Sequence, residues 1–232
     1  MNYVHQLLFG VYPFIALTTC LIGCLMRFDR EQYTWKADSS QLFDRRTVAI
    51  ASPMFHVGII MIFFGHFFGL LTPHSWFLAL GISDNAHQVI AISAGTLFGV
   101  LCWAGGAMLL LRRLRHPEVR AASRKRDIFV LAWLMLTLTI GLLTIPVSIY
   151  HALHGDATTM ILLTQWVQSV ATFQPKWEPL LNVSWIYKLH LFCGLTVFFI
   201  FPFTRLVHVF SFPFGYIVRP AQVVRSKYFS AR

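Results

Sequence analysis

The sequence of 232 residues predicts an all-α integral membrane protein, a five-transmembrane-helix bundle, on three observations. Apolar residues make up 56 % of the chain and charged residues 12 %, where a soluble domain averages about 45–50 % and about 25 %. Five stretches of about twenty residues are nearly free of Asp, Glu, Lys and Arg, enough to cross about 30 Å of hydrocarbon at about 1.5 Å per residue. The basic residues behind the formal charge of +10 lie between those stretches. Backbone polar groups in lipid must be satisfied within the protein, so each stretch is expected to be a helix; the alternation of a transmembrane barrel is missing.

The spans are expected at about 4–26, 47–71, 88–111, 128–150 and 185–210, the last charge-free to Thr204 apart from Lys188, within a single domain over 1–232. The first lacks the basic n-region and A-x-A site of a signal peptide and is expected to stay as a helix. The second carries Gly58, Gly65 and Gly69, and the third Gly95, Gly99, Gly105 and Gly106. Such residues admit either a macrocycle or a second helix close to the backbone. Between the fourth and fifth spans, 156–173 reads as a helix with Met160, Leu163, Trp166, Val167 and Val170 on one face, ended by Pro175 and Pro179. That segment is either a lid over one end of the bundle or a plain connector. Pro202 is expected to bend the fifth helix.

Seventeen of the nineteen basic residues fall in the first and third connections and after the fifth span; only Lys176 and Lys188 lie on the other side. The positive-inside rule then places the N-terminus outside and the basic tail, within 205–232, in the cytoplasm. These charges need no nucleic acid, for which the chain has neither a suitable fold nor an aromatic motif. Cys20, Cys24, Cys102 and Cys193 form no C-x-x-C or C-x-x-C-H, which excludes covalent c-type haem and gives no support to an iron–sulfur site in this chain.

Histidine is the one ionisable residue type left deep in the spans. His56 and His66 lie on the second, His190 and His208 on or beside the fifth. A buried ionisable group in lipid is costly and points to function, and neutral imidazole is a good axial ligand for haem iron. A histidine bonded to a neighbouring helix is the ordinary alternative for any one of them. Because the two helices run antiparallel, His56 pairs with His208 near the basic side and His66 with His190 nearer the other. The helical rises disagree, about 15 Å for ten residues and about 27 Å for eighteen, and a bend at Pro202 reconciles them at an iron separation of about 20 Å. Eighteen steps also return to one azimuth, so one face of the fifth helix would serve both sites. Ser52 and Thr204, each four residues before a ligand, are candidates to orient the imidazoles. Arg205 and Arg112 are candidate partners for haem propionates.

Several segments resemble one family in order and spacing: residues 32–41 (QYTWKADSSQ), 64–69 (FGHFFG) with 71–74 (LTPH), 141–146 (GLLTIP), 166–173 (WVQSVATF) and 201–208 (FPFTRLVH). Over nearly its whole length the chain is similar to the gamma subunit of respiratory nitrate reductase, a membrane cytochrome b. The resemblance implies two non-covalent haem b groups, with His56 and His208 on the inner one and His66 and His190 on the outer. It implies quinol (menaquinol or ubiquinol) oxidation at a pocket formed by His66, Gly65 and, where the family can carry lysine, His87. His74 is expected only to cap a loop. It further implies an iron–sulfur beta subunit and a molybdopterin alpha subunit as partners, in the cytoplasmic membrane of a bacterium or archaeon. The competing readings are a homologous cytochrome b of another quinone-linked complex and a haem transporter.

Overall fold

The structure, a computed structural model, describes residues 2–35 and 44–211. Five helices are long and apolar enough to cross a membrane: α1 (Tyr3–Arg30), α2 (Arg45–Leu71), α4 (Asp84–Arg115), α6 (Lys125–Leu153) and α8 (Trp185–Ile200), the last span continuing to Phe203. Three shorter helices lie in the connections, α3 (His74–Ala79), α5 (Pro117–Ala122) and α7 (Thr158–Ala171). The expected all-helical class with five membrane-competent helices is thus recovered. The basic tail beyond 211 and residues 36–43 lie outside the described residues.

Local chemistry starts the helices where the sequence changes character. An Asp44 carboxylate oxygen accepts the Thr47 amide at 3.1 Å and opens α2, and the Ser83 hydroxyl accepts the Ala86 amide at 3.2 Å and opens α4. Each satisfies an amide that has no partner in the first helical turn. The Asp44 carboxyl is held below its ordinary range by the Thr47 hydroxyl and amide, with a further contribution from Arg112.

The bundle is an arc in which α2 packs on α4, α4 on α6, α6 on α8 and α8 on α1. Missing side chains set the close crossings. A Cβ on Gly58 would lie 2.7 Å from the Cys102 amide nitrogen, one on Gly105 would lie 2.5 Å from the Phe55 amide nitrogen, and one on Gly99 would lie 2.7 Å from a Leu142 methyl. These glycines therefore bring helices together, seating α4 on α2 and α6 on α4. Among the described residues α2 and α8 do not pack on each other as the neighbouring pairs do.

At the end away from the arginines, α7 lies across the bundle. Trp166 and Val170 are buried with Phe9, Leu180, Val183 and Tyr187, and the Trp166 indole N–H donates to the Phe9 carbonyl at 2.9 Å. Phe9 lies in the Gln6–Val11 stretch of α1, which winds as a π-helix. The Gln168 amide donates to the carbonyls of Leu70 (3.4 Å) and Thr72 (3.0 Å), closing the C-terminal end of α2. The 156–173 segment is therefore a built part of this end of the bundle.

The fifth span departs from the expected continuous helix to 210. The α-helix ends at Ile200, Phe201–Phe203 forms one 3-10 turn, Thr204 is extended (φ −120°, ψ −179°), and Arg205–Ser211 is a second 3-10 segment. Pro202 has no N–H to continue the ladder, and its ring excludes the preceding turn. The surplus rise of the fifth span is absorbed in this break, so counting helical steps from His190 does not give the azimuth of His208.

Candidate metal centres: two facing histidine pairs

Four imidazoles meet across the space between α2 and the fifth span. The ring centres of His56 and His208 are 6.3 Å apart, and those of His66 and His190 are 6.0 Å apart. With metal–nitrogen bonds of about 2.0–2.1 Å and each nitrogen about 1.1 Å from its ring centre, two imidazoles on opposite sides of one metal have centres about 6.3 Å apart. Both pairs stand at that separation.

The second nitrogen of every ring is already committed. Nδ1 of His56 donates to the Ser52 carbonyl at 2.7 Å, that of His66 to the Ile62 carbonyl at 2.8 Å and that of His190 to the Thr137 carbonyl at 3.1 Å; that of His208 donates to the Arg205 carbonyl. A carbonyl accepts only, so each Nδ1 carries the proton and each Nε2 keeps a free lone pair. Four rings held in one tautomer by backbone carbonyls is the outer arrangement that metal-binding histidines commonly have.

The donors also come in twos. Among the described residues no group of three or more His, Cys, Asp or Glu is placed to hold a metal ion. Two nitrogens are too few for a bare ion but are the full protein share for a haem, whose macrocycle supplies the other four. The residues present therefore fit that group. Ten residues of α2 between His56 and His66 give about 15 Å of rise and an azimuth offset of about 80°.

The two candidate orienting hydroxyls behave differently. The Ser52 hydroxyl stands 3.2 Å from His56 Nδ1, beside the stronger bond to its own carbonyl. The Thr204 hydroxyl is used locally, donating to the Phe201 carbonyl at 3.1 Å and accepting from the Leu206 amide at 3.4 Å; His208 is oriented by Arg205 instead. Gly141 was visible in sequence only as part of a segment shared with a family. Here its missing Cβ would lie 2.7 Å from His190 Cε1 and 3.4 Å from Nε2, so the ring packs against the α6 backbone at this glycine.

Arg112 is 4 % exposed, and its Nε donates to Asp44 at 3.3 Å, which ties the end of α4 to the start of α2. Arg205 lines a small polar cavity of about 20 Å³ with Arg27, Thr34, Arg124, Arg126, Asp127 and Thr204. The arginine-rich end of the bundle is thus the end of the His56–His208 pair.

Around the other pair, Gly65 faces open space, and a Cβ on Gly69, one turn beyond His66, would lie 3.6 Å from His87 Nε2. His87 stacks on Phe77 with ring centres 4.1 Å apart and 25° between planes. His74, expected only to cap a loop, pairs with Asp84 at 3.1 Å, on the helical turn that carries His87. Behind the pair, the buried Gln88 donates to the Ser148 carbonyl at 3.3 Å, and the Ser148 hydroxyl shares a 2.7 Å hydrogen bond with Tyr187. Sequence reasoning missed this polar seam, because none of its members stands out alone in an apolar span.

These features define a multi-pass helical membrane protein with two histidine pairs, each with ring centres about 6 Å apart and every Nδ1 bonded to a backbone carbonyl. The chain belongs to the family described as nitrate reductase gamma subunit, whose pattern matches residues 5–227. It is 44 % identical over 229 residues to the respiratory nitrate reductase 1 gamma chain of Escherichia coli K12, covering 98 % of this chain and 100 % of that one. It is 33 % identical over 222 residues to the nitrate reductase gamma chain of Bacillus subtilis 168, covering 96 % and 98 %. It is also 34 % identical over 223 residues to the nitrate reductase-like protein NarX of Mycobacterium tuberculosis H37Rv, 96 % of this chain but 34 % of that protein.

Proposed function

We propose that this chain is the dihaem cytochrome b subunit that anchors a nitrate reductase in the cytoplasmic membrane and oxidises quinol near the outer face. The observation that carries the reading is the pair of facing imidazole couples, at 6.3 and 6.0 Å between ring centres, with every Nδ1 tied to a backbone carbonyl. Haem held between two histidines at each pair would supply single-electron transfer without oxygen chemistry. His56 and His208 would hold the inner group and His66 and His190 the outer, with Arg205 near the inner propionates. Arg112 would support that end through Asp44.

His87 and His66 flank the quinol pocket, and Gly65 leaves its wall open. A stacked, partly enclosed imidazole at His87 suits a hydrogen bond to a quinol oxygen and acceptance of its proton. Protons would leave outside while electrons go to an iron–sulfur beta subunit and a molybdopterin alpha subunit, where nitrate is reduced. The basic side faces the cytoplasm by the positive-inside rule and supplies a docking surface for these partners.

The test is haem content and quinol-driven reduction of the complex purified from membranes. Wild type should hold two low-spin b haems, and His66→Ala should lose the outer one and quinol oxidation while retaining the inner. A haem-free active complex, or equal loss of both haems in His66→Ala, overturns the assignment.

A further inference from the structure

The break that delivers His208 is held by a socket on the first helix. When the ladder stops at Ile200, carbonyls of a buried stretch are released and need donors from within the protein. Arg27 supplies them. Its Nη1 donates to the carbonyls of Pro202 and Thr204, both at 2.7 Å. Its Nη2 donates to the Thr34 carbonyl at 2.8 Å, and its Nε to the Thr34 hydroxyl at 3.4 Å. The guanidinium thereby closes two carbonyls across the break and is itself fixed from behind by the turn that follows α1.

One helical turn earlier, on the same face, stands Gly23. A Cβ there would lie 2.7 Å from Cγ and 2.8 Å from Cβ of Pro202. A proline ring is rigid, so it cannot swing aside as a long side chain would. Positions four apart share a helix face, and here one leaves the space for the ring while the other bonds the carbonyls on either side of Phe203. Pro202 and Thr204 are both buried against this face.

From Thr204 a single peptide leads to Arg205, whose carbonyl receives the Nδ1–H of His208. Fixing the Thr204 carbonyl thus fixes the start of the 3-10 segment that aims the imidazole at His56. The His66–His190 pair has no such dependence, because His190 lies ten residues before the break, inside unbroken α-helix, and its Nδ1 bonds to α6.

We propose that Gly23 and Arg27 are positioning residues for His208, setting the geometry of the inner haem site from a helix that contributes no ligand. This rests on the dihaem reading above. Arg27 also brings a positive charge to that end, beside Arg124, Arg126, Arg205 and Asp127 around the shared cavity. A positive charge favours the reduced, less positive iron, so removing it should lower the inner potential as well as loosen the geometry.

The experiment compares Arg27→Gln, Arg27→Lys and Gly23→Ala in the full complex, measuring haems per chain, the low-spin spectrum of each haem and redox titrations. Arg27→Gln and Gly23→Ala should take the content from two haems toward one, or shift the spectrum of the inner haem, with the outer unchanged. Arg27→Lys keeps the charge but cannot reproduce the planar fork; it should retain the inner haem with a potential nearer wild type than Arg27→Gln and a displaced spectrum. Wild-type spectra and potentials in Arg27→Gln and Gly23→Ala overturn the proposal. So does equal loss of both haems, which would mean a general role in the bundle. If Arg27→Gln fails to accumulate in membranes, Gly23→Ala and Arg27→Lys are judged by the same criterion. A wild-type complex without two haems, or a His208→Ala variant that keeps both, refutes the dihaem reading instead.

Discussion

Gly141→Ala should unseat His190 without adding charge or removing a ligand. The new Cβ would lie 2.7 Å from Cε1, 3.2 Å from Nδ1 and 3.4 Å from Nε2 of the ring. Carbon–carbon contacts settle at about 3.5–4.0 Å, so the imidazole must retreat by about 1 Å or α6 must move. The ring is held through the neighbouring Nδ1 by the 3.1 Å bond to Thr137, from the same helix, so a shift of α6 carries that bond with it. Metal–nitrogen bonds tolerate only about 0.2 Å, several-fold less than the required retreat. Overpacking of this kind costs about 1–3 kcal/mol, about five- to 150-fold in occupancy of the outer site. The assay is haem per chain and low-spin spectra of the purified complex: the outer haem should be depleted or converted toward five-coordinate, and the inner one should be unchanged. Two haems with wild-type spectra would refute the claim that Gly141 is the seat of His190.

Trp166→Ala should destabilise the α7 end by about 3–5 kcal/mol, the usual cost of emptying a large aromatic site, seen as a lower thermal midpoint in detergent. His87→Phe, which keeps the stack on Phe77 but removes both nitrogens, should cut quinol-driven kcat/KM by about ten- to a hundredfold while chemical reduction of the haems is unaffected. The Asp156 carboxyl is held below its ordinary range by the Thr158 hydroxyl and amide, then by His151. Its contribution to stability is therefore complete above the unfolded value of about 3.9 and is lost as pH falls through the lower folded value; Asp156→Asn should flatten that acid limb in a thermal scan against pH.

The helices and the identity of the histidine pairs were legible because both follow from one-dimensional patterns. A charge-free run of twenty residues has few physical outcomes in lipid, and antiparallel neighbours pair their histidines in reverse order. The glycines were ambiguous for a physical reason: Gly58, Gly99 and Gly105 admit helices, Gly141 admits an imidazole, and Gly65 faces open space. The residue type records that something comes close, while the identity of the neighbour depends on the packing order of the arc. Position along the helix was equally insufficient for Thr204, whose hydroxyl was absorbed by the local turn once the α-helix ended at Ile200.

The break at Pro202 shows why the sequence arithmetic disagreed with itself. Ten residues separate the paired histidines on α2 and eighteen on the fifth span, yet both pairs close to about the same distance. A continuous helix could satisfy one pair only. Interrupting it after Ile200 lets His190 keep an α-helical position while His208 is presented from a separate 3-10 segment, whose orientation depends on the bonds at the break. The break releases buried carbonyls, and the residue that closes two of them, Arg27, is a charged side chain at the end of α1, remote in sequence but packed on the fifth span. In sequence Arg27 reads as one of seventeen topology-setting cations. In the structure its fork of donors bonds the carbonyls on either side of Phe203, where the fifth span leaves the α-helix ahead of His208.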